Sequence, residues 1–217
     1  MKYKKDFHNF QKQYIEKYPT ANTMRNILIN QVSLKNKKIL DIGCGSGIDL
    51  QFFNEHNAKC FGIDISPELV EIGKKELPTA EIIEGTFNYL PWKNDMFDIV
   101  WSKYALQHEK DINFSINEIY RVLKNNGTAF IQVTHPMRTT EMTHTKNYFN
   151  NGELVNYTTI DGKIINEYHH SLTDWIQTFI DNGFSLEYFQ EILNRPIDQY
   201  SGVISPSATI FILKKKE

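Results

Sequence analysis

Cysteine is almost missing from this chain: two residues in 217, Cys44 and Cys60, in no metal-ligand spacing. A disulfide framework and a cysteine-built metal centre are excluded as organising devices, no metal is expected, and a reducing cytoplasm is the expected home. Long apolar runs are missing too. No stretch approaches the roughly 20 apolar residues that span a bilayer, and the first residues lack the apolar core of a secretory leader. Nor does one sign of charge dominate. The 24 Lys and Arg face 26 Asp and Glu, for a net charge of −2. With a pI near 6.4, there is no broad electrostatic case for nucleic acid or an anionic membrane. The lysine-rich ends, "MKYKK" and "KKKE", read as solvated tails. No internal repeat and no low-complexity linker interrupts the chain.

What is present is an ordinary globular balance, 41% apolar and 23% charged, in a length suited to one good core. Residues 3–32 carry apolar side chains near helical spacing, Phe7, Phe10, Tyr14 and Tyr18 before Pro19, and a second helix from about Thr20. Strands and helices then alternate. "KILDIG", "KCFGIDI", "AEIIEG", "FDIVWS" and "TAFIQVT" read as strands. Between them, Ile48–Asn54 begins a helix, "SPELVEIGKKEL" opens with Ser66 as cap and Pro67 at its first position, and "INFSINEIYRVLK" ends at Asn126-Gly127. This rhythm predicts an α/β fold with a parallel, doubly wound sheet.

After residue 135 the character changes. "VNYTTIDGKIINEY" alternates about Asp161-Gly162 as a β-hairpin does, and a helix follows with Ser171 and Asp174 as an acidic capping box. Two further strands, "SLEYFQEIL" and "ATIFILK", complete the pattern. The expected organisation is one domain over 1–217: a helical cap (1–35), a cofactor-binding core (36–135), a lid insertion (136–170), and a C-terminal helix with strands (171–217).

Glycine, scarce elsewhere, is concentrated in "DIGCGSG": Gly43, Gly45 and Gly47 occupy alternate positions after the first strand. Three entropically costly residues together indicate a backbone that turns tightly or lies against a ligand. The first strand-to-helix turn of a parallel sheet is where such folds bind nucleotides, and a helix N-terminus there favours an anionic group. Asp64 ends the second strand, where a carboxylate can accept both ribose hydroxyls of a nucleoside. Together they predict a nucleoside cofactor. The dinucleotide pattern needs a third glycine at position 48, which is Ile48, so an NAD-dependent oxidoreductase is disfavoured.

With "ILDIGCGSG", "GIDIS", "EGTFNYLPW", "FDIVWSKYALQH" and "EIYRVLKNNGTAFI" in order, residues 37–135 resemble the class I S-adenosylmethionine-dependent methyltransferases, especially the small-molecule branch. The resemblance implies a mostly parallel seven-stranded, Rossmann-like sheet and S-adenosylmethionine as cofactor. It implies that Asp41, Gly43, Cys44, Gly45 and Gly47 hold the methionine part, with Asp41 near its amino group. It places the ribose on Asp64, the adenine on Ile65, the adenine edge at Thr86 and Phe87, and the methionine part beside the backbone of Ser102. Family members often carry an acidic residue where Thr86 stands.

A sulfonium methyl group is already activated, so its transfer needs chiefly alignment, water exclusion and a suitable field. Aromatic faces can help near the cation, and Tyr14, Tyr18, Trp92 and Tyr104 are candidates, with simple packing as the other reading. A hydroxyl or ammonium acceptor must also lose a proton. His108 follows the fourth strand at the carboxyl edge of the sheet and His135 ends the fifth, so both are candidate bases; a structural, capping His108 stays open. At least one of His169 and His170 is expected to face solvent. Nucleic-acid amino-methyltransferases usually carry an Asn/Asp-Pro-Pro-aromatic motif where this chain has "SKYA". The expected acceptor is a small molecule held by Tyr104, His108, Arg138, Tyr168 and His169, methylated on oxygen or nitrogen, with no nucleic-acid or membrane partner. The protein is expected as a monomer or homodimer. A non-catalytic cofactor-binding regulator is the rival from another class.

Overall fold

The computed structural model describes residues 19–158, 164–193 and 206–216. A 3-10 turn at Pro19–Asn22 leads into α1 (Thr23–Gln31), followed by β1 (Lys38–Ile42), α2 (Ile48–Glu55), β2 (Lys59–Asp64), α3 (Pro67–Glu76) and β3 (Glu81–Glu84). Then come β4 (Phe97–Lys103), a 3-10 turn at Leu106–His108, α4 (Ile112–Val122), β5 (Leu123–Thr134) and the short α5 (Pro136–Thr140). The hairpin strands β6 (Glu153–Thr158) and β7 (Ile164–His169) precede α6 (Leu172–Asp181), β8 (Phe184–Ile192) and β9 (Ala208–Lys215).

Seven strands form one sheet in the order β3-β2-β1-β4-β5-β9-β8. β1 pairs in parallel with β2 and β4, β3 with β2, and β5 with β4; β9 pairs antiparallel with both β5 and β8. The order reverses at β1, so the carboxyl ends of β1, β2 and β4 open one crevice at a topological switch point. Helices cover both faces, which is why β1, β4 and β5 are buried runs rather than alternating ones. One core layer gathers Leu40, Val100, Ile116, Ile131, Trp175 and Phe211; the other gathers Met24, Leu28, Phe53, Trp101, Phe130 and Ile210.

The caps follow the local chemistry. The Ser66 hydroxyl accepts from the Leu69 N–H at 3.4 Å to open α3, and that of Ser171 accepts from the Asp174 N–H at 3.1 Å to open α6. Two boundaries differ from the sequence pattern. The helix expected to run through Lys124 ends at Val122, because Leu123 already pairs with Phe97 across a register shift. Asn126-Gly127 therefore lies inside β5, with Asn126 left-handed at φ 60°, rather than ending a helix. The helix α5 was not expected; His135 caps it with Nδ1 accepting from the Met137 N–H at 3.1 Å, and Pro136 occupies its first position.

β6 and β7 form a two-stranded sheet of their own, paired from Glu153↔His169 to Thr158↔Ile164. Its turn, with Asp161-Gly162, lies outside the described residues, as do Tyr14, Tyr18 and most of the expected N-terminal cap.

Candidate functional site

The turn after β1 is fastened to β2. The N–H groups of Gly43 and Cys44 both donate to the Ile63 carbonyl, at 2.8 and 3.1 Å. Gly45 donates to Asp64 Oδ2 at 2.7 Å, and the Ser66 N–H donates to Asp64 Oδ1 at 2.9 Å. Asp64 is thus the pin that joins the glycine turn to the end of β2. Gly43, Gly45 and Gly47 are all left-handed, at φ 71°, 55° and 80°. At Gly43 space is decisive as well, since a Cβ there would lie 2.3 Å from the Ala105 Cβ. The turn is therefore packed against the segment that follows β4. Ser102 closes the third side, its hydroxyl donating to the Ile42 carbonyl at 3.3 Å.

The electrostatics of this crevice are unusual. Asp41 is buried, and its carboxyl pKa is pushed well above the ordinary range, first by burial and then by the charges of Asp49 and Asp64. Lys103 and Arg25 pull the other way, but they serve Asp49, whose pKa they hold low against its own burial. Arg25 donates to Asp49 and to the Ile48 carbonyl, tying α1 to the start of α2. Asp64 is also raised by burial, with the Ser66 and Gly45 N–H groups and nearby His108 opposing. The result is a pair of desolvated carboxyls lacking their full complement of positive charge. Around them Ile65 stands 60% exposed, an apolar side chain in water at the end of β2; Thr86 is exposed and Phe87 buried after β3.

Residues 40–131 match the family model described as "Methyltransferase domain". An "Uncharacterized methyltransferase YcgJ" of Bacillus subtilis is 34% identical over 103 residues, 45% of this chain and 40% of that one. A "Demethylmenaquinone methyltransferase" of Chlorobaculum tepidum is 32% identical over 98 residues, 45% of this chain and 40% of that one. This chain thus spans about 40% of the length of these two curated relatives. Over residues 40–131 the chain is thus similar to methyltransferase domains. The fold agrees: a solved S-adenosylmethionine-dependent methyltransferase from Mesorhizobium loti superposes with a TM-score of 0.71, covering 88% of this chain and 95% of that one at 16% identity. The NAD-dependent reading finds no support.

Beside the methyltransferase domain the hairpin lies against the turn that follows β4. His108 Nδ1 sits 2.7 Å from the Asn166 carbonyl. A carbonyl only accepts, so Nδ1 carries a hydrogen and Nε2 is the nitrogen left to meet an acceptor. Gln107 Nε2 donates to Glu167 Oε1 at 3.4 Å, and the Thr134 hydroxyl donates to the same oxygen at 3.1 Å. Tyr104, just past β4, is left-handed at φ 56°, an uncommon state for a large side chain, and its N–H donates to the Gln132 carbonyl at 2.8 Å.

Several expectations need correction. His135 is 1% exposed with both ring nitrogens engaged, Nδ1 by the Met137 N–H and Nε2 by Glu191 Oε1 at 2.7 Å, so it is a cap and not an available base. His169 is fully buried: Nε2 donates to the Tyr148 carbonyl at 2.8 Å and Nδ1 lies 2.6 Å from the Thr139 hydroxyl oxygen, so it fastens the insertion and has no nitrogen left for an acceptor. His170 is buried as well, held between Asp174 and the Glu109 carbonyl, so neither histidine faces solvent. Tyr168 lies on the opposite face of the hairpin from Glu167, because successive side chains alternate along β7. Arg138 is half-buried on α5. Trp92 packs edge-on against Phe97 and Phe61 and donates to Glu81, so its ring is core.

Gln107, Gln132 and Glu167 escaped the sequence reading. A visible signal existed: glutamine in "FIQVT" is a lone amide inside a strand buried on both faces.

Proposed function

We propose that this protein transfers a methyl group from S-adenosylmethionine to an oxygen or nitrogen of a small acceptor held beneath the 136–170 insertion, with His108 as the base. The observation that carries the reading is His108. Its Nδ1–H is anchored on the hairpin, which leaves Nε2 to face an acceptor, and it lies near Asp64. A fixed tautomer beside the cofactor crevice is what a general base requires.

The residues present fit the cofactor. Asp41, desolvated and short of positive charge, is suited to an ammonium group. The first turn of α2, whose leading N–H groups have no intrahelical acceptor, follows the glycine turn directly and suits a carboxylate. Asp64 uses one lone pair of each oxygen on the chain and keeps the others for two ribose hydroxyls. Ile65 offers an apolar platform for the adenine, with Thr86 and Phe87 at its edge. The Ser102 backbone and Cys44 complete the methionine side, and Tyr104 stands between cofactor and acceptor. The sulfonium supplies a methyl group that needs no further activation. The protein's part is to hold the acceptor in line, exclude water with the insertion, and receive the acceptor's proton on His108 Nε2.

The test is calorimetry with S-adenosylmethionine, followed by release of S-adenosylhomocysteine across a metabolite library. Binding with turnover supports the reading; binding without turnover of any acceptor supports a regulator; no binding overturns both.

A further inference from the structure

The turn that carries His108 is fastened to the insertion twice, in opposite directions. His108 Nδ1 donates to the Asn166 carbonyl at 2.7 Å. One residue on, the Glu109 carbonyl accepts from His170 Nε2 at 2.8 Å. Asn166 lies in β7 and His170 directly follows its last residue, so both bonds reach the same strand and its exit. His170 is itself well fixed. It is 4% exposed, its ring meets the Trp175 ring edge-on with centroids 5.3 Å apart, and Nδ1 lies 2.7 Å from Asp174 Oδ2 on α6.

The two bonds do different things. The first orients the His108 ring, whereas the second grips the main chain beside it. Within the turn, the N–H groups of His108 and Glu109 donate to the Ala105 and Leu106 carbonyls at 3.0 and 3.1 Å. A single 3-10 turn of this kind has poor hydrogen-bond geometry and little stability of its own, so an outside anchor decides where it sits. The anchor also has a definite chemical form. A carbonyl and a carboxylate both only accept, so each ring nitrogen of His170 presents a hydrogen, and Asp174 meets the resulting charge. The pKa of neighbouring His169 is lowered first by burial and further by the charge of His170.

We propose that His170, backed by Asp174, is a positioning residue for the base: it holds the Glu109 carbonyl and thereby sets where His108 Nε2 meets the acceptor. This rests on the reading of His108 above. His170 acts through the backbone, and it joins the exit of the insertion, the start of α6 and the base into one piece.

Nitrogen–proton ring spectra of the S-adenosylhomocysteine complex report which ring nitrogen of each histidine carries hydrogen, and amide exchange at His108 and Glu109 reports the turn. His170→Phe keeps a ring against Trp175 and removes both donors. The neutral His108 ring should then leave the Nδ1–H form imposed by Asn166 for the mixture of tautomers that a free imidazole adopts. Exchange at the two amides should quicken about tenfold or more, while S-adenosylmethionine affinity holds. Asp174 supplies the comparison that a merely structural role would not move. Asp174→Asn and Asp174→Leu both discard the carboxylate, and the cavity of about 350 Å³ that Asp174 lines with Lys110 and Asp111 leaves room for either. Only asparagine can donate to Nδ1 while Nε2 goes on donating to Glu109. Asp174→Asn should therefore keep the His108 spectrum and the amide protection, and Asp174→Leu should lose part of both. This pair decides alone should His170→Phe not fold. Equal behaviour of the two Asp174 variants, or a folded His170→Phe variant with the His108 ring and amides unchanged, overturns the proposal and leaves the methyltransferase reading intact. Failure of the unaltered protein to bind S-adenosylmethionine by calorimetry overturns the methyltransferase reading itself.

Discussion

At the scale of single residues, Asp64 and Asp41 do different work with the same functional group. Asp64 is a structural pin that also faces the crevice, so Asp64→Ala removes the acceptors of two backbone N–H groups along with any ribose contact. Charge-assisted hydrogen bonds of this kind are worth about 1.5–3 kcal/mol each. Losing two to the ribose should therefore cost about 3–6 kcal/mol in S-adenosylmethionine affinity, with a lower melting temperature besides. Calorimetry on a folded variant checks it, and an unchanged dissociation constant would remove Asp64 from the cofactor site. Asp41 is raised chiefly by burial, so the folded protein holds that proton more tightly than the unfolded chain does. Asp41 alone therefore makes the unliganded fold more stable as pH falls through its raised pKa toward the ordinary carboxylate value. Binding an ammonium group requires the ionised form, so cofactor affinity should move the opposite way and weaken over that same window. Asp41→Asn should flatten the dependence; a wild-type affinity constant across the window would show that Asp41 meets no cation.

At the scale of elements, legibility tracked how local each signal was. Ser66-Pro67 and Ser171 opened their helices as read, because a cap is decided within four residues. The glycine turn and Asp64 were legible for the same reason. The end of α4 was not, since Leu123 leaves the helix to pair with Phe97, a partner 26 residues earlier in the chain that no local pattern announces. Glu167, Gln107 and Gln132 were invisible as a group because β7, the 3-10 turn and β5 meet only in the folded chain, whereas Tyr168 attracted attention by type alone. The hairpin also gains a definite role, since it holds His108 through the Asn166 carbonyl. Replacing residues 140–166 by a short Gly/Ser linker should leave S-adenosylmethionine affinity nearly intact and sharply reduce methyl transfer. Because cofactor binding reports an intact core, retained turnover in such a variant would place the acceptor elsewhere. His108→Ala belongs with it: a lost base should be rescued as pH rises toward the acceptor's own pKa, whereas a lost cap gives a deficit flat with pH.

At the scale of the whole molecule, the sheet divides the labour. The ends of β1, β2 and β4 carry the glycine turn, Asp64 and Ser102, while the end of β5 with the hairpin carries Thr134 and Glu167. His108 and Tyr104, just past β4, lie where the two halves meet. No helix among the described residues is long and apolar enough to cross a membrane, and ligand occupancy of the crevice should register in backbone amide exchange. Local opening governs that exchange, and a ligand suppresses it where it bridges separate elements. S-adenosylhomocysteine should slow exchange at Gly43–Gly47 and at Asp64–Ser66, whose N–H groups lie in or beside the turn, with little change in the hairpin. An acceptor added to that complex should then slow exchange in β7 and at Gln107–Glu109, which the hairpin contacts directly. The order of addition makes the experiment discriminating. If the cofactor product alone protects the hairpin as strongly as both ligands together, the insertion closes on the cofactor and not on the acceptor. The assignment of specificity to the insertion would then fail, even with the cofactor site intact.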